Sequence, residues 1–204
     1  MFPKLIETIK TLERFETIST ERKTVLQPLV DVIQSKINHN QTLNLNFICT
    51  HNSRRSHLAQ IWAQTAAAYY SIPNVFCYSG GTEKSALFPK VVETLANQGF
   101  EIIQISEGIN PIYGIKCSEN ASPIIGFSKT HDHLLNPKTK FVAILTCSQA
   151  DEGCPFIGGA EKRIPIRYDD PGISDGTAEQ AQVYAKRSLE IAIEMFYIFS
   201  QINS

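Results

Sequence analysis

The sequence predicts an α/β fold: a doubly wound, parallel, four-stranded sheet flanked by helices, with an N-terminal helical extension and an inserted β-hairpin. Short apolar runs alternate with amphipathic helical stretches, as they do in βαβ units. One apolar run, Leu43–Ile48, leads through a tight polar loop into a helix. Residues 106–137 interrupt the alternation with Pro, Gly and Asn, which is typical of an insertion. We therefore divide the chain into a helical extension, 1–42, and an α/β domain, 43–204.

The extension is predicted to form two helices. Apolar residues recur at helical spacing from Ile6 to Phe15 and again from Val25 to Ile33, and Ser19 or Thr20 can cap the second helix. The extension is expected to pack on the domain or on a second subunit as a homodimer. The sequence assigns it no chemistry.

The α/β domain contains further apolar runs bounded by turn residues. Those predicted as strands are Leu43–Ile48, Asn74–Tyr78, Phe100–Ile105, Phe141–Thr146 and Lys162–Tyr168. The predicted helices are His57–Tyr70, Pro89–Gln98 and Thr177–Ile202. Ser79–Thr82 is predicted as a turn, and the insertion is predicted to pair Ile112–Cys117 with Pro123–Ser128.

Composition excludes several classes of protein. A hydrophobic content of 43% and a net charge of −1 over 204 residues leave no basic excess for nucleic acid. No apolar run approaches the roughly 20 residues of a membrane helix, and the N-terminus lacks the pattern of a signal peptide. Five cysteines, an odd number, do not suggest a secreted disulfide framework. We expect a cytoplasmic protein.

The loop after the first strand carries the clearest chemistry. Cys49 stands at the strand end, and the loop that follows consists of Thr50, His51, Asn52, Ser53, Arg54, Arg55 and Ser56. Such a loop can direct backbone N–H groups at an anion, and the following helix N-terminus adds positive potential. Both effects, with Arg55, favour the thiolate of Cys49 as a nucleophile at an oxyanion site. The alternative is a buried, inert cysteine, but six polar residues, two of them arginines, do not resemble a core environment.

Two further cysteines follow the fourth apolar run. Cys147 closes that run, and Cys154 lies seven residues later across a polar loop. In a parallel sheet Cys147 can lie beside the Cys49 loop, so that three thiols serve in sequence. One alternative is that both cysteines are incidental. Another is zinc with His131 and His133, but the spacing of the cysteines is too long for a zinc knuckle, so we predict no metal.

Three motifs resemble a known family. Cys49-x5-Arg55-Ser56 after a strand resembles the active-site loop of low-molecular-weight protein tyrosine phosphatases and of the thioredoxin-coupled arsenate reductases that share their fold. Thr146-Cys147-x6-Cys154-Pro155 is similar to the redox segment of those reductases, which the phosphatases lack. Tyr168-Asp169-Asp170-Pro171 resembles the general-acid loop of both. The resemblance covers about residues 43–202, apart from the insertion.

The resemblance implies a mechanism that needs no cofactor. Arsenate, or phosphate, would bind residues 50–56 with the Arg55 guanidinium, and Asp170 would protonate the departing oxygen. Cys49 would attack arsenic, Cys147 would then attack the Cys49 sulfur, and Cys154 would resolve the disulfide for thioredoxin to reduce. A mobile segment 147–154 is required, because one geometry cannot bridge both cysteine pairs.

The sequence departs from the family pattern at three positions. Arg54 replaces a second cysteine found in many relatives, and we expect it to be a solvated charge rather than an extra anion contact. His51 replaces a glycine at the mouth of the loop. Gly172 follows Pro171, where the phosphatases usually have tyrosine, and this favours reductase over phosphotyrosine phosphatase. A non-catalytic anion sensor or scaffold is the third alternative, which the intact set of Cys49, Arg55 and Asp170 disfavours.

Overall fold

A computed structural model describes residues 1–153 and 156–203. The helices are α1 Pro3–Leu12, α2 Thr20–Asn38, α3 Arg55–Tyr69, α4 Pro89–Asn97, α5 Ser148–Gly153 and α6 Gln180–Ser200. The strands are β1 Leu43–Cys49, β2 Val75–Gly81, β3 Glu101–Gln104, β4 Tyr113–Lys116, β5 Ile124–Gly126, β6 Phe141–Leu145 and β7 Ala160–Pro165. Short 3₁₀ turns cover Phe15–Thr17 and Pro171–Ser174.

The central sheet is parallel and has the strand order β2-β1-β6-β7. This confirms the predicted four-stranded, doubly wound architecture. Strand β1 is central, and Leu45 and Phe47 pack into the larger core with α3 and α6. Ile48 belongs to a smaller cluster, which Cys147, Ala150 and other residues close on the opposite side. Because β1 is covered on both faces, its carboxyl end is held rigidly where the Cys49 loop begins.

The N-terminal helices pack on their own chain. Leu5, Ile9, Leu26 and Leu29 are fully buried in the same core cluster as the sheet. The hydroxyl of Ser19 accepts a hydrogen bond from the Arg22 N–H at 3.2 Å, so Ser19 is the N-cap of α2. The extension therefore packs on the α/β domain of its own chain, and the homodimer stays a prediction.

The apolar run Phe100–Ile105 was predicted as a strand among the alternating strands and helices of the parallel sheet, and that placement is wrong. Its strand, β3, pairs antiparallel with β4, and β4 pairs antiparallel with β5, in a separate three-stranded sheet. The physical reason lies in burial: none of the four β3 residues is buried, whereas β6 is buried throughout. The hairpin predicted within the insertion is present as β4 and β5, with β3 as its third strand.

The predicted turn Ser79–Thr82 is also corrected, because β2 continues through Gly81. A Cβ atom on Gly80 would lie 2.4 Å from the Cα of His131, and one on Gly81 would lie 2.6 Å from the Thr50 carbonyl oxygen. These glycines allow close backbone approach rather than chain reversal. Through Gly80 and Gly81, strand β2 lies close both to the chain around residue 130 and to the Cys49 loop.

The described helices were compared in length and apolar character with a membrane span of roughly 20 residues. None of them combines the length and the apolar character needed to cross a bilayer.

Candidate active site

The Cys49 loop joins the end of β1 to the start of α3. The Cys49 sulfur is 3% exposed and lies 3.1 Å from the Ser56 hydroxyl oxygen. The Asn52 amide donates to that same oxygen at 2.8 Å, which leaves the Ser56 hydroxyl proton available to the sulfur. Asn52 has a φ of 45°, a left-handed conformation that asparagine tolerates better than most residues. Ser56 therefore contacts the Cys49 thiol, and Asn52 shapes the loop around it.

The loop carbonyls are bonded to the surrounding chain. The Thr50 oxygen accepts from the Glu83 N–H at 2.9 Å, and the Ser53 oxygen accepts from the Phe88 N–H at 3.1 Å. The His51 oxygen accepts from the Ser128 hydroxyl at 2.8 Å. Carbonyls occupied in this way are the arrangement a loop needs if its N–H groups are to bind an anion.

Arg55 is buried beside the loop and is held from one side. Its Nη1 donates to the Tyr168 carbonyl at 3.0 Å, and its Nη2 donates to Asp170 Oδ2 at 2.5 Å. Among the described residues its Nε has no hydrogen-bond partner, although it is buried. Because Nε and Nη2 share one edge of the guanidinium, that edge is suited to bidentate contact with an oxyanion.

The two adjacent aspartates have different surroundings. Asp170 pairs with Arg55 through one oxygen and accepts from the Gly172 N–H at 2.9 Å through the other. The Asp169 side chain is 96% exposed and lies 3.2 Å from Arg187. Of the two carboxylates, Asp170 is therefore the one that reaches the Arg55 site.

Arg54 does not have the solvated side chain that the sequence suggested, and that expectation is wrong. Its Nε donates to the Tyr184 hydroxyl at 2.6 Å, and its Nη2 donates to Asp175 at 2.5 Å. The guanidinium also lies 4.2 Å from the centre of the Phe88 ring. A Cβ atom on Gly172 would meet the Arg54 Cζ at 3.2 Å, so Arg54 occupies the space beside Gly172. The side chain thus ties the acid loop and α6 to the Cys49 loop.

His51 lies at the outer side of the loop. Its side chain is 53% exposed, and its Nδ1 lies 3.4 Å from Glu83. The imidazole is therefore solvated and paired with a surface carboxylate rather than packed in the site.

Two residues of the insertion support the loop, and no pattern in the sequence indicates them. Ser128 donates to His51, as described above, and also accepts from the Ser85 N–H at 2.7 Å. The Lys129 N–H donates to the side-chain oxygen of Asn52 at 3.0 Å. Both contacts span 77 positions of sequence with residues 51 and 52, so no local pattern could have indicated them.

Cys147 lies beside the loop, as its position at a strand end predicted. Its sulfur is fully buried, lies 3.5 Å from the Thr50 hydroxyl oxygen, and accepts from the Ala150 N–H at 3.4 Å. Cys49 and Cys147 are both free thiols. Cys154 lies outside the described residues.

The polar loop predicted after Cys147 is instead the short helix α5. Its Asp151 is buried and forms ion pairs with Arg163 and Arg167. These pairs hold α5 against β7, so the sequence prediction of a loop here is corrected to an anchored helical turn.

A buried polar network links α2 to the acid loop. The Tyr168 hydroxyl donates to Glu194 at 2.6 Å, and Arg22 makes two hydrogen bonds to the same carboxylate at 2.6 and 2.8 Å. The Arg22 guanidinium lies 5.0 Å from the centre of the Tyr168 ring. Because the Tyr168 carbonyl accepts from Arg55, the N-terminal extension supports Arg55 through two intermediate residues, Glu194 and Tyr168.

His57 directly follows the Cys49 loop and is completely buried. Its Nδ1 lies 3.3 Å from the Ser79 hydroxyl, and its Nε2 has no partner among the described residues. Burial, and secondarily the positive charge of Lys129, lowers the pKa of His57 to about 3. The imidazole is therefore neutral at physiological pH and is a structural part of the site. Across residues 1–153 and 156–203, no three His, Cys, Asp or Glu side chains cluster as metal ligands.

The fold and the site together define a class of protein. A buried thiol ends the central strand of a parallel sheet, and a curled loop and a buried arginine follow it. This is the arrangement of a cysteine-dependent enzyme that acts on tetrahedral oxyanions.

Comparison with known proteins narrows the class to a family. The arsenate reductase of Bacillus licheniformis is 30% identical over 141 residues, which cover 69% of this chain and 83% of that protein. The arsenate reductase of Staphylococcus aureus (strain Newman) is 29% identical over 151 residues, which cover 74% of this chain and 92% of that protein. The chain belongs to the arsenate reductase family. No protein-family model matches it.

Solved structures share the fold at lower identity. A low-molecular-weight phosphotyrosine phosphatase from Vibrio cholerae O395 has a TM-score of 0.51 at 13% identity, covering 78% of this chain and 94% of that one. An arsenate reductase in the phosphate-binding state has a TM-score of 0.50 at 18% identity, covering 79% of this chain and 100% of that one. The α/β domain is therefore of the low-molecular-weight phosphatase type.

Proposed function

We propose that the protein reduces arsenate to arsenite, using Cys49 as nucleophile and Cys147 and Cys154 as a thiol relay that thioredoxin regenerates. The observation that carries the proposal is the second buried thiol: the Cys147 sulfur lies 3.5 Å from the Thr50 hydroxyl of the anion-binding loop. Hydrolysis of a phosphoester through Cys49 alone has no use for that thiol. The similarity of the chain to arsenate reductases also supports arsenate as the substrate.

Arsenate would enter between the loop N–H groups and Arg55. Its oxygens would take the unpartnered Nε and would replace Asp170 on Nη2. The Asp170 carboxylate is thereby released from its ion pair, while its Oδ1 remains bonded to the Gly172 N–H. The freed carboxylate can then take a proton from one hydroxyl of the bound arsenate and so become the acid that protonates the departing oxygen.

The first chemical step forms a sulfur–arsenic bond. The Cys49 thiolate attacks arsenic, and one arsenate oxygen departs as water after Asp170 supplies a proton. Ser56 stabilises the thiolate before the attack through its hydroxyl at 3.1 Å. Arsenic remains in the +5 state on Cys49.

The second step reduces arsenic. The Cys147 thiolate attacks the Cys49 sulfur, the electron pair of the sulfur–arsenic bond passes to arsenic, and arsenite leaves in the +3 state. The Cys154 thiolate then attacks the Cys147 sulfur and releases Cys49 as a thiolate, which leaves a Cys147–Cys154 disulfide. A dithiol reductant of the thioredoxin type supplies the two electrons that reduce it. The need for this reductant is consistent with a cytoplasmic location.

Segment 147–153 has to move during this sequence. The Cys147 sulfur is buried and accepts from the Ala150 N–H at the start of α5. Bonding first to Cys49 and then to Cys154 requires that contact to break, so we expect α5 to unwind in its first turn while the Asp151 ion pairs release.

The test is arsenite formation from arsenate with thioredoxin, thioredoxin reductase and NADPH. Wild type is compared with Cys49→Ser, Cys147→Ser and Cys154→Ser, and Cys117→Ser serves as the matched control because that thiol lies in the insertion. We expect turnover in wild type and control and no multiple turnover in the three other variants. Hydrolysis of an aryl phosphate that only Cys49→Ser abolishes, without arsenite formation by wild type, would establish a phosphatase instead.

A further inference from the structure

A cavity lies away from the Cys49 loop. It measures about 480 Å³, is partly open to solvent, and lies between α3, the outer strand β2 of the parallel sheet and the outer strand β5 of the three-stranded sheet. Its walls are largely apolar and include Val75, Phe76, Ile124, Ile125, Phe127 and Leu135. None of the described residues that line it belongs to the segment 49–56. A volume in the range of about 300–1,000 Å³ is typical of sites for small organic molecules.

One charged side chain lines this cavity. Lys129 is only 4% exposed, and its Nζ lies 4.8 Å from the centre of the Phe127 ring. Of the described residues that line the cavity, none is an aspartate or a glutamate. Within residues 1–153 and 156–203, the Lys129 ammonium donates no hydrogen bond.

A buried ammonium without an anionic partner is costly, and the structure shows the expected response. Burial lowers the pKa of Lys129 to about 8. The side chain is therefore still largely charged at neutral pH, although it faces an aromatic ring and apolar walls. An anion in the cavity would compensate for its lost hydration.

The polar groups along the β2 edge argue against an added peptide strand. Gln64 donates to the Val75 carbonyl at 3.1 Å and accepts from the Cys77 N–H at 2.9 Å. Gln60 donates to the Cys77 carbonyl at 3.1 Å. Since side chains already satisfy these backbone groups, a strand has no open ladder to join, and the cavity favours a small molecule.

We propose that this cavity binds a small organic anion, with its carboxylate or sulfonate on the Lys129 ammonium and its aromatic or branched apolar body between the walls formed by β2 and β5. The proposal goes beyond the arsenate reaction and does not depend on it. A bound ligand would nevertheless contact Lys129. The backbone N–H of Lys129 donates to Asn52, and its carbonyl accepts from the Gly81 N–H at 2.8 Å. The anion site therefore adjoins the framework of the Cys49 loop.

The test is isothermal titration at pH 7 with three probes: 2-naphthoate, 4-phenylbutyrate and 8-anilinonaphthalene-1-sulfonate. The neutral 2-naphthamide is titrated beside them. At least one anionic probe is expected to bind with one-to-one stoichiometry, and saturating inorganic phosphate is not expected to displace it. In Lys129→Met its affinity should fall roughly 10- to 100-fold, which is the value of a hydrogen bond to a charged group. Lys10→Met, on the exposed side of α1, is the charge-matched control and should bind as wild type does.

A second variant keeps Lys129 and changes only the space. Ala68 is exposed and lines the cavity from α3, so Ala68→Trp should weaken binding of the anionic probe while leaving the thermal unfolding curve intact. Three results would each overturn the proposal: no anionic probe binding below about 1 mM, displacement of the probe by phosphate, or equal affinity in wild type and Lys129→Met. Equal affinity for 2-naphthamide in wild type and Lys129→Met would support it, because the neutral probe lacks the group that Lys129 contacts.

Discussion

Replacing Lys129 by methionine should make the folded protein more stable at neutral pH. The side chain is 4% exposed, and burial lowers its pKa from the ordinary 10.5 to about 8. This difference corresponds to a penalty of about 3 kcal/mol for keeping the ammonium charged inside the fold. Methionine retains a flexible apolar chain of similar length and removes the charge.

The effect depends on pH in a defined direction. Below pH 8 both the folded and the unfolded chain hold the proton, and the penalty on wild type is fully present. Between about 8 and 10.5 the unfolded chain binds more protons than the folded one, so the stability of wild type rises with pH. Above 10.5 both states are neutral and the penalty is gone. The gain from Lys129→Met should therefore be largest below pH 8 and fade by pH 10.5.

The assay is urea unfolding of wild type, Lys129→Met and Lys10→Met at several pH values between 7 and 10.5, in buffers without organic anions. His57 does not confuse the comparison, because its pKa of about 3 keeps it neutral throughout this range. A Lys129→Met protein that is less stable than wild type at pH 7, or a stability difference that does not change with pH, would refute the reasoning.

Three further predictions concern the site and its supports. Because the pKa of His57 is about 3 in the folded protein, against 6.5 ordinarily, wild type should lose about 2.5 kcal/mol of stability between pH 7 and 4.5 that His57→Gln does not lose, as urea midpoints at the two pH values will show. Arg54→Met removes the link between the Cys49 loop and Asp175, and we expect kcat for arsenate, measured at a temperature where the variant is fully folded, to fall roughly 10- to 100-fold; an unchanged kcat would show that the link does not position the acid loop. Arg22→Met leaves the buried Glu194 without its paired arginine and should destabilise the protein by about 3 kcal/mol in a urea titration, whereas adding Glu194→Gln should restore part of the loss.

Local sequence was sufficient to predict the centre of the site. An apolar run followed by a polar loop and a helix specifies strand, loop and helix through contacts between near neighbours, so the placement of Cys49 and Ser56 followed from the sequence. The burial of β6 also followed, because β6 is apolar throughout, as a strand covered on both faces must be.

What the sequence did not predict depends on contacts between distant segments. The run Phe100–Ile105 resembles a strand of the parallel sheet, and only the pairing of β3 with β4 places it in the second sheet. Arg54 resembles a surface charge in the sequence, and only the fold brings to it Asp175, which follows the 3₁₀ turn Pro171–Ser174, and Tyr184 of α6. Gly80 and Gly81 resemble a turn in the sequence, because a close approach of two backbones and a chain reversal both require glycine.

The network from Arg22 through Glu194 to Tyr168 bears on how the chain can be shortened. The family resemblance begins near Leu43, and a truncation at that boundary would look harmless in an alignment. It would remove the arginine that neutralises Glu194 and strip the apolar cover contributed by Leu26 and Leu29. The Tyr168 hydroxyl would then donate to a buried carboxylate whose charge is no longer neutralised, two positions before Asp170. A minimal catalytic unit of this protein therefore includes its first two helices.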